Sequence, residues 1–343
     1  MSIAPLIDRL LAGQDLGREG AAEALDRIMS GEVDPVQTGA FLVALRAKGE
    51  RADELAGLAE VIRRRSERVV ARPPLVDTCG TGGGVSTFNV STAAAFVAAG
   101  AGARVAKHGN RSATSRCGSA DVLEALGARI DLGPGAVGAC VDDVGIGFMF
   151  APRHHPAFRH VAPVRAALGV RTIFNMIGPL ANPAGATRQV VGVVDPAYVR
   201  RMAEALAELG AERALVVHGE DGMDEISTAA PTRVVEIDGG ELREWRIDPG
   251  RLGLAAPANG TLAGGEPAEN AARIRSVLGG APGPAADVVA VNAAAAIWIA
   301  GGADSLAQGL EAAREALAGG AAAGRLEAFV AATLALAPEA ESA

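Results

Sequence analysis

The sequence predicts an α/β protein in two parts, a small N-terminal all-helical domain and a larger α/β domain with a mainly parallel central sheet. Apolar residues recur at helical spacing through residues 3–70, which favours a helical bundle. The stretch Arg72-Pro73-Pro74 that follows is typical of a rigid linker. Beyond it, short apolar runs alternate with helical patterns, as in parallel βαβ units. We therefore expect a helical domain over residues 1–72 and an α/β domain over residues 73–343.

Four apolar stripes predict the helices of the first domain. The third helix has the clearest limits, because Asp34 can cap its start, Pro35 fits its first turn and Gly49 marks its end. The apolar residues of the stripes are Ile3, Leu6, Ile7, Leu10 and Leu11, then Ala21, Ala22, Leu25 and Ile28, then Phe41, Leu42 and Leu45, and finally Leu55, Leu58, Ala59 and Ile62.

In the second domain, five apolar runs predict strands that alternate with helices. The predicted strands are 75–77, 104–106, 146–150, 190–194 and 214–217, and the helices between them are 91–99, 119–126, 136–144 and 197–209. Residues 156–182 interrupt this alternation with a further helix over 158–168, and we expect the insertion to pack on the N-terminal helices. Gly239-Gly240 predicts a β-hairpin over 234–238 and 242–247. Helices over 268–278, 285–300, 306–317 and 326–336 follow it.

The composition limits the possible partners. The formal net charge of −8 argues against a broad nucleic-acid-binding surface. The three cysteines form no C-x-x-C pair, which favours a reducing compartment over a disulfide framework. No apolar run approaches the roughly 20 residues of a membrane-spanning helix, and the N-terminus lacks a signal-peptide pattern. We therefore expect a cytoplasmic protein that binds neither nucleic acid nor membrane.

Two polar, glycine-rich stretches follow the first two predicted strands, at the sheet edge where α/β proteins bind ligands. Residues 80–84 are rich in glycine and lead into hydroxyl and amide side chains over 86–92. Residues 107–116 combine Lys107 and Arg111 with further hydroxyl and amide groups. Glycine lets backbone amides approach an anion, and a helix N-terminus adds its dipole. Either stretch alone could be a tight turn or a charged surface loop, but together they favour one long polyphosphate ligand.

Two familiar phosphate-binding fingerprints are not supported. The sequence contains no G-x-x-x-x-G-K-[ST] window, which excludes a Walker-type nucleotide site. Residues 133–138 match G-x-G-x-x-G, but the match contains Pro134, and basic residues stand about 20 positions further on, where a ribose-binding acid is expected. We interpret it as a strand-to-helix turn.

Asp224 and Glu225 are candidate metal ligands in an acidic loop after the strand at 214–217. Mg²⁺ usually takes one or two carboxylates and completes its shell with substrate phosphates. Adjacent acids more often lie on the surface, but a polyphosphate site on the same sheet favours the metal.

The insertion carries basic residues whose roles are less distinct. An arginine that faces the cleft would bind a carboxylate substrate through two hydrogen bonds, although surface solvation explains most of the set. These arginines are Arg153, Arg159, Arg165 and Arg171. The histidines His154, His155 and His160 lack metal-ligand spacing, so we interpret them as packing or loop residues.

Taken together, the motifs resemble those of anthranilate phosphoribosyltransferases, in the same order along the chain. The matching segments are GTGG at 80–83, NVST at 89–92, KHGNR at 107–111, GSAD at 118–121, HVAPVRAALGVRTIFNMIGPLANP at 160–183 and HGEDGMDE at 218–225. The resemblance implies a nucleoside phosphorylase/phosphoribosyltransferase-like fold with the active site between its domains, and a homodimer. It implies transfer of phosphoribose from phosphoribosyl pyrophosphate to the amine of anthranilate with Mg²⁺, the second step of tryptophan biosynthesis from chorismate.

The resemblance also implies the residues of each subsite. Those implied for phosphoribosyl pyrophosphate are Gly80, Gly83, Gly84, Thr87, Asn89, Val90, Ser91, Thr92, Lys107, His108, Gly109, Asn110, Arg111, Ser112, Ala113, Thr114, Ser115 and Ser119. Those implied for anthranilate are Gly80, Asn110 and Arg165, and those implied for Mg²⁺ are Ser91, Asp224 and Glu225. No residue is a clear general base, and we interpret His108 as structural.

One departure from the family pattern lies in the first turn. The family's GTGGD is GTGGG here, so Gly84 replaces an aspartate, and the loop before Thr87 is one residue shorter. We expect weaker or differently metal-dependent sugar binding rather than a different reaction. The alternatives are a pyrimidine nucleoside phosphorylase of the same architecture, which would differ at KHGNR, and a nucleic-acid-binding relative, which the net charge disfavours.

Overall fold

The N-terminal part is a helical bundle in the computed structural model, which describes residues 2–112, 116–258 and 260–337. The bundle contains α1 (Ala4–Leu11), α2 (Gly17–Met29), α3 (Pro35–Lys48) and α4 (Ala52–Arg64). Helix α3 has the predicted limits: the Asp34 carboxylate accepts a 2.8 Å hydrogen bond from the Val36 amide, and Gly49 ends the helix with a φ of +88°. The prediction of an all-helical N-terminal unit is confirmed.

The α/β part is built around one sheet. Within the described residues its strands are β1 (Val76–Gly80), β2 (Val105–Gly109), β3 (Ile146–Phe150), β4 (Arg188–Gly192), β5 (Arg213–Gly219), β6 (Thr232–Asp238) and β7 (Glu241–Ile247). They lie in the order β3-β2-β1-β4-β5-β6-β7; the first five are parallel and the last two form the antiparallel hairpin. The strand order reverses beside β1, and such a switch point leaves a crevice at the carboxyl ends of the strands.

Strands β1 and β2 extend further than the sequence predicted. The predictions ended them at residues 77 and 106, whereas the strands continue to Gly80 and Gly109. The predicted strands ended where polar residues begin, because such residues are typical of exposed turns. Lys107 and His108 are instead buried within the sheet. The backbone there continues to pair with the neighbouring strands. The chemically important residues therefore sit on rigid strand ends.

The helices of the α/β part are close to the predicted ones. They are α5 (Val90–Gly100), α6 (Ser119–Ala125), α7 (Pro134–Ala139), α8 (Ala151–His154), α9 (Ala162–Leu168), α10 (Pro196–Glu208), α11 (Pro267–Leu278), α12 (Pro284–Ala300), α13 (Leu306–Ala318) and α14 (Ala321–Ala335). The single helix predicted over 158–168 is wrong: a 3-10 turn, Pro156–His160, precedes α9. Pro163 has no amide hydrogen and favours a new helix start there. No helix among the described residues is long and apolar enough to cross a membrane.

Large apolar cores cover both faces of the sheet. Side chains alternate along β4, so Val190 belongs to one core and Val191 to the other. The first core holds α5 and α12, which are buried around most of their circumference. The second core joins α10 and the helical bundle with Val164 and Phe174 of the insertion. Because the bundle and one sheet face share this core, the domain division at residue 72 stays a prediction.

Candidate active site

A cleft of about 1250 Å³ lies at the carboxyl ends of the parallel strands, between the sheet and the 156–182 insertion. It brings together both predicted turns, the acidic loop and Arg165. Every predicted site residue lines it, except Val90, whose side chain is buried in the core, and the three residues Ala113, Thr114 and Ser115, which lie outside the described residues. The site therefore occupies the switch point of the sheet.

The first turn presents free backbone amides to the cleft. Gly82 and Gly83 have φ values of +64° and +86°, which only glycine adopts readily. The Gly82 amide donates a 2.9 Å hydrogen bond to Oδ2 of Asp224, while the amides of Gly83 and Gly84 have no partner within the described residues. Successive free amides in such a turn form an anion-binding concavity.

The start of α5 forms the adjoining wall. Asn89 takes a left-handed conformation with a φ of +64°. Its side chain donates to the Cys117 carbonyl at 3.0 Å and accepts from Asn270 at 2.9 Å, which fixes the turn. The buried hydroxyl of Thr92 has no partner within the described residues. The helix N-terminus thus adds a favourable dipole for an anion.

Lys107 is the buried cation at the floor of the cleft. Its ammonium donates to the Thr78 carbonyl and, over 3.4 Å, to the Ser91 hydroxyl. Burial lowers the pKa of Lys107, and the nearby carboxylates of Asp77 and Glu225 oppose that shift. A desolvated ammonium interacts strongly with an anion that enters the cleft.

Asp77 anchors the strand end that carries Lys107 and His108. Its carboxylate accepts hydrogen bonds from the His108 amide at 3.2 Å and from the Asn182 amide group at 2.8 Å. Burial raises the pKa of Asp77, while Lys107 and these bonds oppose the shift. The β2 end is therefore held by a carboxylate that sequence reasoning did not single out.

The second turn is closed by contacts to α6. The Ser119 hydroxyl donates to the Asn110 carbonyl at 3.2 Å, and a Cβ at Gly109 would lie 2.2 Å from that hydroxyl oxygen. Arg111 makes ion pairs with Asp121 at 2.7 Å and Glu124 at 2.6 Å. The positive charge of Arg111, which we expected to face a ligand's phosphate, is therefore already balanced by carboxylates of the chain.

Asp224 and Glu225 form the acidic side of the cleft. Burial raises the pKa of Asp224, and burial together with the Asp224 charge raises the pKa of Glu225 to about 8. The Glu225 carboxylate accepts a 3.3 Å hydrogen bond from the Ser91 amide. Two desolvated carboxylates beside a hydroxyl are an oxygen donor set that suits Mg²⁺.

The protein supplies only part of a metal's coordination shell. Within the described residues, no cluster of three or more histidine, cysteine, aspartate and glutamate side chains could hold a metal. A Mg²⁺ ion at Asp224 and Glu225 would therefore need oxygens from water or from a bound phosphate, which is its usual mode of binding.

Arg165 lies in an apolar arm of the same cleft. Its guanidinium stacks over the Phe174 ring at 5.3 Å, and burial lowers its pKa. Phe158 packs edge-on against Phe174 with ring centroids 5.4 Å apart. Arg165 has no carboxylate partner within the described residues. An arginine with no carboxylate partner, stacked on an aromatic ring, suits an aromatic carboxylate.

Two other cleft residues were not recognised from the sequence. His155 was interpreted as a packing or loop residue, but its Nε2 lies 3.1 Å from Nε2 of His108. Burial lowers the pKa of His108 to about 4 and that of His155 to about 2, so both rings are neutral at pH 7. Arg171 also faces the cleft, whereas Arg153 pairs with Glu67 at 2.6 Å outside it. Spacing along the chain could not separate these arginines.

The G-x-G-x-x-G match at 133–138 lies outside the cleft. Its residues begin α7, and a Cβ at Gly138 would lie 2.3 Å from the Val70 carbonyl oxygen. This glycine therefore serves close packing. The interpretation as a strand-to-helix turn is wrong in its first half, because residues 128–133 form no strand and the turn leads from α6 into α7.

Gly84, the departure in the first turn, has no room for a side chain. A Cβ there would lie 2.8 Å from the Gly222 carbonyl oxygen and 2.9 Å from Cγ2 of Val194. The loop thus packs directly against the segment that leads to Asp224. An aspartate at this position could not fit without a shift of the backbone.

Comparisons with known proteins show which family shares this architecture. Residues 4–66 match the helical bundle domain of a glycosyl transferase family, and residues 72–323 match its a/b domain. The anthranilate phosphoribosyltransferase of Rubrobacter xylanophilus is 56% identical over 93% of this chain and 94% of its own. The crystal structure of the Thermus thermophilus enzyme of that name superposes with a TM-score of 0.90 at 48% identity, covering 96% of this chain and 99% of that one.

A more distant relative has been solved with ligands bound. Anthranilate phosphoribosyltransferase from Saccharomyces cerevisiae, in complex with PRPP and Mg, superposes with a TM-score of 0.88 at 29% identity and covers 97% of this chain and 99% of that one.

The helical bundle and the a/b domain, together with the cleft beside them, define a two-domain glycosyl transferase. Within that class, the chain belongs to the anthranilate phosphoribosyltransferase family.

Proposed function

We propose that this protein transfers phosphoribose from phosphoribosyl pyrophosphate to the amine of anthranilate, giving N-(5-phosphoribosyl)anthranilate and pyrophosphate in tryptophan biosynthesis. One observation carries the assignment of both substrates: the partnerless Arg165 in an aromatic arm opens into the cleft that holds the free amides of Gly83 and Gly84. The two ends of the cleft thus suit an aromatic acid and a phosphorylated sugar. The family relationship supports this reaction over the phosphorylase and nucleic-acid-binding alternatives.

Phosphoribosyl pyrophosphate is assigned to the two turns and the start of α5. The residues are those given by the sequence resemblance, including Ala113, Thr114 and Ser115. Displacement at the anomeric carbon builds negative charge on the departing pyrophosphate. Lys107 and the amides of Gly83 and Gly84 stabilise that charge in a desolvated site, where such donors are most effective.

Mg²⁺ is assigned to Ser91, Asp224 and Glu225, which fit it by their oxygen donors and their burial. When bound, the ion neutralises charge on the pyrophosphate. The carboxylates have a second role that the structure itself supports, because Asp224 holds the Gly82 amide and Glu225 accepts from the Ser91 amide.

Anthranilate is assigned to Gly80, Asn110 and Arg165. The planar guanidinium fork of Arg165 can bind the carboxylate through two hydrogen bonds, and Phe158 and Phe174 provide apolar contact. The aryl amine is neutral at pH 7, so positioning rather than strong base catalysis is required. The neutral His108–His155 pair agrees with this, because neither ring is a strong base.

Arg165→Ala is expected to raise the KM for anthranilate by about tenfold to a hundredfold, since one charged, bidentate contact is lost. The KM for phosphoribosyl pyrophosphate should change by less than about twofold, because Arg165 packs on Phe174 and not on the glycine turn. Steady-state kinetics with each substrate varied in turn measure both values. Arg153→Ala is the control, as Arg153 pairs with Glu67 outside the cleft. Equal impairment toward both substrates would refute the assignment of Arg165.

Gly84→Asp, which introduces the family's usual residue, is expected to lower activity rather than raise it. The new Cβ would overlap the Gly222 carbonyl, and overpacking of this kind costs about 1 to 3 kcal/mol. The melting temperature and the KM for phosphoribosyl pyrophosphate measure the effect. Gly135→Asp is the control, because a Cβ there meets no atom within 4 Å. Tighter sugar binding in Gly84→Asp would show that the lost carboxylate, not the loop packing, dominates.

The reaction itself is tested by anthranilate fluorescence with phosphoribosyl pyrophosphate and Mg²⁺. The fluorescence should fall only when enzyme and both substrates are present. No loss at high enzyme concentration would overturn the proposed function.

We assign the homodimer to an exposed apolar stripe on α3. Val36, Ala40, Val43 and Ala47 follow helical spacing and are exposed, with Val36 79% and Val43 45% accessible. Such a stripe on a helix of the bundle favours contact with a second copy. The enzyme is assigned to the cytoplasm on its cysteine pattern, which favours a reducing compartment.

Val36→Glu with Val43→Glu is expected to convert the dimer to a monomer, because two charges per protomer would be buried in the interface. Sedimentation velocity measures the change in mass. Leu334→Glu, on an exposed position of α14, is the control. A dimer that survives the double substitution would place the interface elsewhere.

A further inference from the structure

Arg171 is tied to the phosphate-binding turn from the opposite side of the cleft. Its Nη2 donates a 2.9 Å hydrogen bond to the carbonyl oxygen of Gly82. The same glycine donates its amide to Asp224. Both polar groups of Gly82 are therefore held by side chains, one from the insertion and one from the acidic loop.

The guanidinium of Arg171 rests directly on Gly83. A Cβ at Gly83 would lie 1.9 Å from Nη1 of Arg171, so the contact is open only to glycine. The Gly82 carbonyl that Arg171 binds is followed along the chain by the amides of Gly83 and Gly84, which have no partner within the described residues. A run of three glycines has high conformational freedom, and the Arg171 contact restricts it at the position that precedes those amides.

The helical bundle holds Arg171 in turn. Nη1 of Arg46, on α3, donates a 2.6 Å hydrogen bond to the backbone carbonyl of Arg171. A chain of contacts thus runs from α3 through Arg171 to the turn. No carboxylate within the described residues forms an ion pair with Arg171, so its side chain is committed to the Gly82 carbonyl.

We propose that Arg171 is a positioning residue for phosphoribosyl pyrophosphate: it fixes the Gly82 peptide so that the amides of Gly83 and Gly84 are preorganised for the pyrophosphate. Arg46 acts through it by fixing its backbone. Preorganised donors bind more tightly, because the ordering cost is met before the ligand arrives. This inference rests on the proposed function for the identity of the ligand.

The inference is tested with Arg171→Ala, Arg46→Ala and the double variant. Arg171→Ala is expected to raise the KM for phosphoribosyl pyrophosphate by about tenfold and that for anthranilate by less than about twofold, as loss of one charged hydrogen bond to the turn predicts. Calorimetric titration with inorganic pyrophosphate should show a parallel loss of affinity without reliance on turnover. Arg46→Ala should give a smaller effect that disappears in the Arg171→Ala background, because the two residues act in series.

Arg200→Ala is the matched control, since Arg200 is an exposed arginine on α10 that pairs with Glu204 and Glu244. Unchanged affinity for pyrophosphate in Arg171→Ala, equal increases in both KM values, or additive effects of Arg46→Ala and Arg171→Ala would each overturn the inference. These outcomes differ from failure of the proposed function, which would leave the unsubstituted protein inactive with anthranilate and phosphoribosyl pyrophosphate.

Discussion

Lys107→Met is expected to lower kcat by about 100- to 1000-fold, the usual cost of removing one donor from a charge-stabilising site. Methionine keeps most of the side-chain volume but removes the ammonium that faces Ser91 and the cleft. The substitution also leaves the Asp77 carboxylate, which holds the end of β2, without its nearby cation. Loss of one partner from a buried charge pair costs about 3 to 5 kcal/mol, so the free energy of unfolding should fall as well.

The two effects can be separated with Lys48→Met. The side chain of Lys48 is also buried and pairs with Asp15 at 2.6 Å and Glu54 at 2.8 Å, and none of the three lines the cleft. The Lys48→Met enzyme should be less stable than the unsubstituted enzyme, while its folded molecules keep the same kcat. A Lys107→Met enzyme that loses only stability, with kcat per folded molecule unchanged, would remove Lys107 from the charge-stabilising role.

Asp224→Asn combined with Glu225→Gln is expected to reduce activity by about 100-fold or more, and added Mg²⁺ should not restore it. The free energy of unfolding of this double variant should not fall, although its activity does. Burial raises the pKa of both carboxyls, that of Glu225 to about 8, so at pH 7 their easier ionisation in the unfolded chain opposes folding, and neutral amides remove that cost. Kinetics over a Mg²⁺ titration and thermal unfolding measure the two effects.

Asp142→Asn provides the control for that double variant, because Asp142 interacts with Arg72 outside the cleft. Treatment of the unsubstituted enzyme with EDTA should reproduce the activity loss and be reversed by Mg²⁺. A double variant with an unchanged Mg²⁺ dependence would place the metal elsewhere.

Much of the fold could be predicted because its signals are local. The Asp34 cap, Gly49 at the end of α3 and the Gly239-Gly240 hairpin turn act within a few residues of themselves. The ends of β1 and β2 could not be predicted in this way. Neighbouring strands decide whether Lys107 is exposed in a turn or buried in a strand. Pro163 is a local signal for the helix start at α9, but the apolar spacing over 158–168 obscures it.

The candidate site shows the same division. Motif order led to the turns, Arg165 and the acidic pair, and these lie in one cleft. The contact of Arg171 with Gly83 joins residues that are far apart in sequence, so no local sequence pattern indicates it. The same holds for the His108–His155 contact and for the crowding at Gly84, which only the packed backbone reveals.

The central claim is tested most directly by the stoichiometry of the products. The enzyme, incubated with anthranilate, phosphoribosyl pyrophosphate and Mg²⁺, should release one pyrophosphate for each N-(5-phosphoribosyl)anthranilate detected by mass spectrometry. Replacement of anthranilate by a pyrimidine nucleoside with phosphate should yield no free base. Pyrophosphate release without the anthranilate adduct, or phosphorolysis of the nucleoside, would contradict the account.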